Sequence, residues 1–506
     1  MPDYIKALIY VLIASGPTVF IVRRIAVPVI GEDEFLVWRN CWLATTCISF
    51  LSNSFLVFSG LLLLVCAYGF KKAREPLYLY IVLMFAAPCV SVNFGIPGLF
   101  ASITALDPPR LLAVFILLPI GVSLWRDKGN RKVSLADIFA GGYVLMICAL
   151  ASRLGDLNSV LRACMAQFLG VVVPYFVFSR ALRTASDVNR TLLAFAVAAL
   201  PIAAIGTFEF LKGWPVYPGV AARWDSATGS GYLFRDGMLR ASATSMISIS
   251  FGFMCMVGAG CLFALKTKER FGLWHYAATA VLLAGLFASV SRGPWLGLAI
   301  CVAVILSTNL KAASKFVAAA VPVGAGLALI SASFIYRFIN LLPFVGRADK
   351  ASETYRSDLF DAALLVIRQH PWFGSPTFLK APELQKMMQG QGLIDIVNSY
   401  LQITLEFGVV TLIFFAAFFI LNAAQLAILA MRKAPKHVNY VGILGVLLSI
   451  MFTIATTSSV TFVPYIYWTF AAMGVALMRM GLGSTRQETA EPIVSKPQMR
   501  VLRAGA

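Results

Sequence analysis

Long apolar stretches dominate the chain, and its polar positions gather in the gaps between them. Runs near 5–22, 35–51, 54–70, 77–95, 108–126, 135–152, 162–179, 191–211, 239–265, 273–289, 294–310, 316–336, 400–431, 438–456 and 460–478 are each long enough to cross a bilayer as a helix. The stretch 35–70 also reads as one crossing plus an interfacial piece, so the pattern predicts about 12–15 transmembrane helices. The runs are continuous rather than alternating, which argues against a transmembrane β-barrel. The expected fold is all-α: a polytopic integral membrane helical bundle. No small-residue cleavage site follows the first run, which therefore reads as an anchor.

Two longer segments interrupt the pattern, 212–238 and 337–399. Long loops with no domain of their own are usually functional. Within the second, Leu359, Ala363, Val366 and Ile367 recur at helical spacing and the pattern stops before Pro371, which predicts an amphipathic helix over 356–369. The expected organisation is N-terminal transmembrane helices over 1–190, a core over 191–480 that includes both long segments, and a disordered tail over 481–506.

Composition agrees with this picture. Hydrophobic residues make up 59% and charged residues 13%, whereas soluble domains are about 25% charged. A soluble enzyme and a disordered chain are excluded on that ground. Lys and Arg number 42 against 23 Asp and Glu, for a net charge of +19. With the tail placed inside, the inner loops hold most of the basic residues, so the positive-inside rule predicts a cytoplasmic C-terminus and two outward-facing long segments. The excess charge then meets anionic lipid headgroups, and nucleic acid is not needed to explain it. The nine cysteines all lie in apolar runs and the three His are scattered, so neither a disulfide framework nor a transition-metal site is expected. The chain has no phosphate-binding G-x-x-x-x-G-K-[ST], no D-x-D, no G-x-S-x-G and no H-E-x-x-H. An enzyme of this sequence is expected to work without ATP, metal or cofactor.

Candidate chemistry clusters in four outer segments. Ser291-Arg292-Gly293 sits between two spans; it reads as a tight turn with a snorkelling Arg, or as an anion site made by a guanidinium fork beside a helix start. Arg235, Asp236 and Arg240 enter the span that follows the first long segment. Upstream lie Trp214, Tyr217, Trp224, Tyr232 and Phe234, an interfacial belt or a platform for sugar rings. Arg356 opens the amphipathic helix, and His370 follows it as a turn residue or a base. Asn398, Gln402 and Glu406 share one face at i, i+4, i+8, with Tyr400 between them. Glu406 and Glu209 are ionisable residues within spans, and such residues are functional candidates by default.

Together these segments resemble the O-antigen ligase and polysaccharide polymerase superfamily of bacterial inner membranes. The family's S-R-G turn is matched by Ser291-Arg292-Gly293, and its R-x-S-x-T-like stretch by Arg240-Ala-Ser-Ala-Thr244. Its outer-loop Arg, amphipathic helix and H-P-x-x-G are matched by Arg356 and His370-Pro371-Trp372-Phe373-Gly374, and its closing motif by Asn398-Ser-Tyr-Leu401 with Glu406 and Gly408. The likeness covers roughly 190–480. The ligases place a His before that Asn; Val397 stands there in this chain, which looks more like the exopolysaccharide polymerases.

The resemblance implies a GT-C-like, metal-independent, inverting membrane glycosyltransferase with a large helical extracytoplasmic loop. Its donor would be an oligosaccharide on polyprenyl (undecaprenyl) diphosphate, passed to a second lipid-linked repeat on the periplasmic face of the inner membrane. With the residue readings above, the expected catalytic residues are Arg240, Arg292, Arg356, His370, Glu406 and Glu209. Substrate contacts are expected from Arg235, Asp236, Ser291, Trp214, Trp224, Asn398, Tyr400 and Gln402. Membrane lipid, a flippase, a chain-length regulator and an exporter are the implied partners. Three rivals remain: a ligase that hands the glycan to lipid or protein, a flippase for lipid-linked oligosaccharide, and a non-catalytic partner of an export complex. A flippase would show two pseudo-symmetric halves, and the sequence has no repeat.

Overall fold

The computed structural model describes residues 2–96, 100–127, 129, 132–224, 234–235, 237–265, 272–307, 350–388, 394–431 and 438–488. The expected span 316–336, Asp236, Tyr232 and the tail beyond 488 lie outside the described residues. The chain opens with α1 (Asp3–Ile30), α2 (Glu32–Leu51), α3 (Phe55–Lys72) and the short α4 (Leu77–Met84). A hairpin of β1 (Val92–Ile96) and β2 (Phe100–Leu106) pairs antiparallel from Val92–Leu106 inward. Then follow α5 (Pro108–Arg126), α6 (Leu135–Ala151), α7 (Leu157–Ala181) and α8 (Ala185–Lys212). The short α9 (Pro218–Arg223) and a two-residue hairpin, β3 (Phe234–Arg235) with β4 (Met238–Leu239), lead into α10 (Ser248–Ala264), α11 (Leu273–Ala288) and α12 (Arg292–Ser307). The last described helices are α13 (Lys350–Gln369), α14 (Pro382–Gln385), α15 (Ser399–Met431), α16 (Tyr440–Ile454) and α17 (Val463–Glu488).

Among the described residues seven helices are long and apolar enough to cross a membrane: α1, α3, α5, α6, α7, α8 and α15. Four shorter apolar helices, α10, α11, α12 and α16, pack with them. The protein is an all-α polytopic membrane bundle. Helix α8 is its axis, with 83% of its apolar window buried against α1, α4, α10 and α11. Small residues permit the close approach, as Gly258 of α10 abuts Ala199 of α8. A second core layer is aromatic: Phe415 and Phe418 of α15 pack, tilted or edge-on, against Tyr143 of α6 and Trp468 of α17.

The stretch 35–70 forms two separate helices, α2 and α3, in line with the runs 35–51 and 54–70, and Ser54 caps the start of α3. Two expected spans differ from the structure. The run 77–95 does not form a full span; its helix stops at Met84. Pro88 lacks the N–H that a continuing helix needs, and the chain passes through the buried segment 85–90 into β1. Irregular backbone at such depth is tolerated only when protein surrounds it, and here Cys89 donates its N–H to the Thr244 carbonyl at 2.8 Å. The run 239–265 becomes helical only at Ser248, because its first residues lie across the end of α8.

Polar contacts fasten the two ends of the bundle. At one end Asp137, inside the capping box of α6, accepts from Arg180 at 3.0 Å, Arg479 at 2.7 Å and Tyr175 at 2.8 Å. Nearby, Glu34 accepts from Trp38 Nε1 and from the Arg74 amide, and Arg190 pairs with Glu75. At the other end Tyr465 of α17 donates to Asp107, which also caps α5 and pairs with Arg110. This second end gathers segments 52–54, 91–96, 100–107, 152–156, 213–224, 234–235, 237–247, 289–291, 370–388, 394–398 and 455–462, linked by contacts such as Arg223 to Asn53 and Ser399 to Thr457.

Candidate active site

The site is built outward from one buried carboxylate. Glu209 stands in the last turn of α8, fully buried. Its Oε1 accepts from the Val216 amide at 2.9 Å, and its Oε2 from the amides of Ser242 at 3.1 Å and Ala243 at 2.8 Å. A buried carboxylate needs such donors to offset lost hydration. Here they tie both ends of the segment that follows α8 and hold residues 240–246 across the end of the helix.

That placement brings two guanidinium-bearing strands of chain together. Ala241 N–H bonds the Ala288 carbonyl at 3.0 Å. Arg240 Nη2 donates to Ser291 Oγ at 3.0 Å, and Arg235 Nη1 to the Val290 carbonyl at 3.4 Å. Ser291 Oγ in turn donates to the Ser289 carbonyl, and Ser248 Oγ to that of Arg240. Arg292, half-buried, is the first residue of α12, so Arg240 and Arg292 flank one buried serine at a helix start, where the dipole favours an anion.

The backbone here is strained. Among the described residues the non-glycine positions with positive φ are Ala243 at 45°, Met246 at 62°, Val290 at 46° and Thr461 at 50°. All four lie at this end. Positive φ is unusual for any residue with a Cβ and an outlier for β-branched Val and Thr, and such strain of about 1–3 kcal/mol per residue collects at functional sites.

A hydroxyl-rich turn between α16 and α17 closes the opposite side. Ser399 Oγ donates to the Thr457 carbonyl and Ser459 Oγ to Ser399 Oγ, both at 2.8 Å. Ser458 Oγ donates to Asp395 Oδ1 at 2.7 Å and contacts the Ile396 carbonyl at 3.1 Å. Thr461 Oγ1 meets Ser250 Oγ of α10 at 2.6 Å. Thr456 lies so close to Gly293 that a Cβ there would stand 2.5 Å from its Oγ1. The turn therefore joins the starts of α10, α12 and α15.

The third part is an arm. Helix α13 buries Leu359, Ala363 and Val366 against Leu384 of α14 and Leu401 and Leu405 of α15. Beyond it, the turn His370–Gly374 docks on a break in α15 at Gly408, whose φ is 81° and ψ 174°. Val409 N–H bonds the Pro371 carbonyl at 2.9 Å, and Ser375 N–H that of Leu405 at 2.9 Å. A Cβ on Gly408 would lie 2.2 Å from the Trp372 carbonyl oxygen, and one on Gly374 would lie 2.6 Å from that of Leu405; only glycine fits either place. Arg153, at the end of α6, clamps the joint by donating to the carbonyls of Phe373 at 2.9 Å, Gly374 at 3.0 Å and Glu406 at 3.1 Å.

The sequence candidates therefore fall into distinct places. Arg235, Arg240, Ser291 and Arg292 converge, and Glu209 holds them through the backbone. Trp224 is 2% exposed and packed on Phe58 at 4.6 Å, so its ring has no face for a sugar; Trp214 lies half-buried against Tyr10. Asn398 accepts from the Leu401 amide as the cap of α15, and Tyr400 donates to the Met451 carbonyl. Gln402 and Glu406 are half-buried in the first segment of α15, with Glu406 beside the arm joint. Arg356 and His370 are exposed on the arm, and neighbouring Tyr355 reaches the Asp395 carbonyl at 3.4 Å. Sequence reasoning missed Arg153, Asp395 and the hydroxyls of 456–461. The unbroken run Thr456-Thr457-Ser458-Ser459 between two apolar helices was the available signal for the last. Among the described residues no three His, Cys, Asp or Glu side chains gather into a metal-binding cluster.

Residues 277–416 match the family model for O-antigen ligase. The matched stretch runs from α11 through the Ser291–Gly293 turn and the arm to the broken helix α15. No curated protein matches the chain. The match supports the O-antigen ligase and polysaccharide polymerase superfamily, and with it glycan transfer by a membrane glycosyltransferase-like enzyme that takes a lipid-linked glycan.

Proposed function

We propose that this protein polymerises lipid-linked oligosaccharide repeats on the periplasmic face of the inner membrane. The donor is a glycan on polyprenyl diphosphate. An acceptor hydroxyl attacks the anomeric carbon from the face opposite the diphosphate, the bond from that carbon to the phosphate oxygen breaks, and polyprenyl diphosphate leaves with the electron pair. The configuration inverts. The leaving group is already activated, so ATP is not required.

The observation that carries this reading is the pairing of Arg240 with Ser291 next to Arg292 at the start of α12. Charge grows on the diphosphate as it leaves, and preorganised donors in a partly dry site stabilise that charge most. Loss of one such donor costs about 10²–10³ in rate. Arg235, bonded to the Val290 carbonyl, adds a third cation. In this reading Glu209 positions the arginines instead of moving a proton, since backbone amides occupy both of its oxygens. Val397 at the place of the ligases' His favours a second lipid-linked repeat as acceptor.

The test is reconstitution of purified protein with a polyprenyl-diphosphate-linked repeat, without nucleotide, beside Arg240→Ala and Arg292→Ala. A ladder of longer glycans that both variants reduce by 10²-fold or more supports the polymerase. Donor consumption with no ladder until a lipid or protein acceptor is added would identify a ligase instead. Transbilayer movement of the donor without glycosidic bond formation would identify a flippase.

A further inference from the structure

Trp372 and Phe373, at the tip of the arm's docking turn, are 65% and 52% exposed. Neighbouring elements extend this apolar surface. Arg153 donates to the Phe373 carbonyl and so sets the end of α6 beside the turn; the next residue, Leu154, and Leu157 at the start of α7 are exposed as well. On α15, Val410 N–H bonds the Trp372 carbonyl at 3.3 Å, and Ile413, about one turn further along, is exposed too. A contiguous exposed apolar surface marks a place that meets something apolar.

Two helices independently fix its depth. From Val409, just past the break at Gly408, to Met431, α15 runs for 23 residues with no Asp, Glu, Lys or Arg. At 1.5 Å per residue that is about 34 Å, slightly more than the hydrocarbon core of about 30 Å. The span that α6 opens, Leu135–Leu154, has 20 residues, or about 30 Å. It packs on α15 and ends at the same joint. Both helices therefore put the docking turn at the edge of the hydrocarbon, the level at which Trp is enriched in membrane proteins. The lipid-facing flank below is continuous with it: Ile420 and Ile428 of α15 and Ile138 and Leu145 of α6 are exposed along the two spans.

We propose that the turn His370–Gly374 is an interfacial anchor, and that its partner is phospholipid. Trp372 and Phe373, with Leu154 and Leu157, seat in the boundary between acyl chains and headgroups of the leaflet at this end of the bundle. Lipid and Arg153 together hold the arm on the membrane surface. The arm then lies at the depth at which a lipid-linked glycan carries its phosphate groups.

The experiment uses the full chain, labelled with fluorotryptophan, in phosphatidylcholine nanodiscs. The resonance of Trp372 is the one of nine tryptophan signals that disappears in Trp372→Phe. Spin labels are then supplied on lipids, either near the headgroup or near the chain end, or as a water-soluble paramagnetic chelate. The expected result is strongest broadening of the Trp372 signal by the label near the headgroup. Broadening by the aqueous chelate alone would put the turn in water and overturn the proposal. Protection from all three would mean that protein, such as a second copy of this chain, covers the patch, and would overturn it as well. Strongest broadening by the chain-end label would overturn the interfacial depth. In the same nanodiscs, replacing both residues as Trp372→Ser and Phe373→Ser should speed hydrogen exchange at the joint amides of Ser375 and Val409 by about 10-fold, while Trp372→Phe stays near wild type. Wild-type exchange in the double Ser variant would overturn the anchoring role.

Discussion

Arg153 offers the sharpest handle on how the arm is held. It lies far outside the stretch 277–416, yet its guanidinium donates to three carbonyls that span the arm joint, at 2.9, 3.0 and 3.1 Å. Hydrogen bonds to a charged group contribute about 1.5–3 kcal/mol each. Arg153 is half-buried, so water replaces part of what its removal takes away, and a net loss of about 3 kcal/mol is a reasonable value for Arg153→Ala. At 1.4 kcal/mol per decade, the undocked fraction of the turn then rises roughly 100-fold. The amides of Ser375, Val409 and Val410 cross the joint and report it directly. In hydrogen exchange on protein in lipid nanodiscs, peptides containing them should exchange about two orders of magnitude faster in the variant. Peptides containing Ser242 and Ala243, held by Glu209 instead, should not change. Arg153→Lys, with one point donor for three carbonyls, should fall between. Unchanged exchange at 375 and 409–410 in Arg153→Ala would refute the clamp.

Three further outcomes follow from the geometry. Glu209→Gln puts an N–H where the carboxylate accepts from an amide; each orphaned buried bond costs about 1–3 kcal/mol, so thermal unfolding in detergent should occur at a clearly lower temperature and glycan transfer should fall with it. Gly408→Ala places a methyl against the Trp372 carbonyl at a φ of 81°, and limited proteolysis of 370–398 should speed up while membrane insertion stays normal. Trp224→Phe keeps most of the packing on Phe55 and Phe58; it should leave substrate KM unchanged, whereas a large rise in KM would restore a sugar-binding role for that ring.

The helical bundle was legible in the sequence because membrane spans carry their signal in length and apolarity alone. The arm helix was legible too, since Leu359, Ala363 and Val366 mark one buried face of α13. The segment 77–95 was not: uniform apolarity says that a stretch is buried but not that it is helical, and burial in protein lets the chain leave the helix after Met84. The same limit moved the start of α10 from 239 to 248, where Glu209 holds the preceding backbone. Arg240 and Arg292 could be picked out as arginines beside turns, but the bond from Arg240 to Ser291, which brings the two segments together, appears only in three dimensions. Trp224 looked like a platform because an aromatic near an interface reads the same way whether it lines a site or fills a core. Arg153 and Asp395 act on partners dozens to hundreds of residues away, and neither sits in a pattern that local spacing can reveal.

In the proposed reaction, glycosidic bond formation and polyprenyl diphosphate release are one event at Arg240 and Arg292. The most direct measurement counts both products from pure protein in nucleotide-free proteoliposomes supplied with a single lipid-linked repeat. One polyprenyl diphosphate should be released per new glycosidic bond, with both falling together by about 10²–10³-fold in Arg292→Ala. Diphosphate release without matching bonds, or a ladder that survives loss of Arg292 and Arg240, would contradict it.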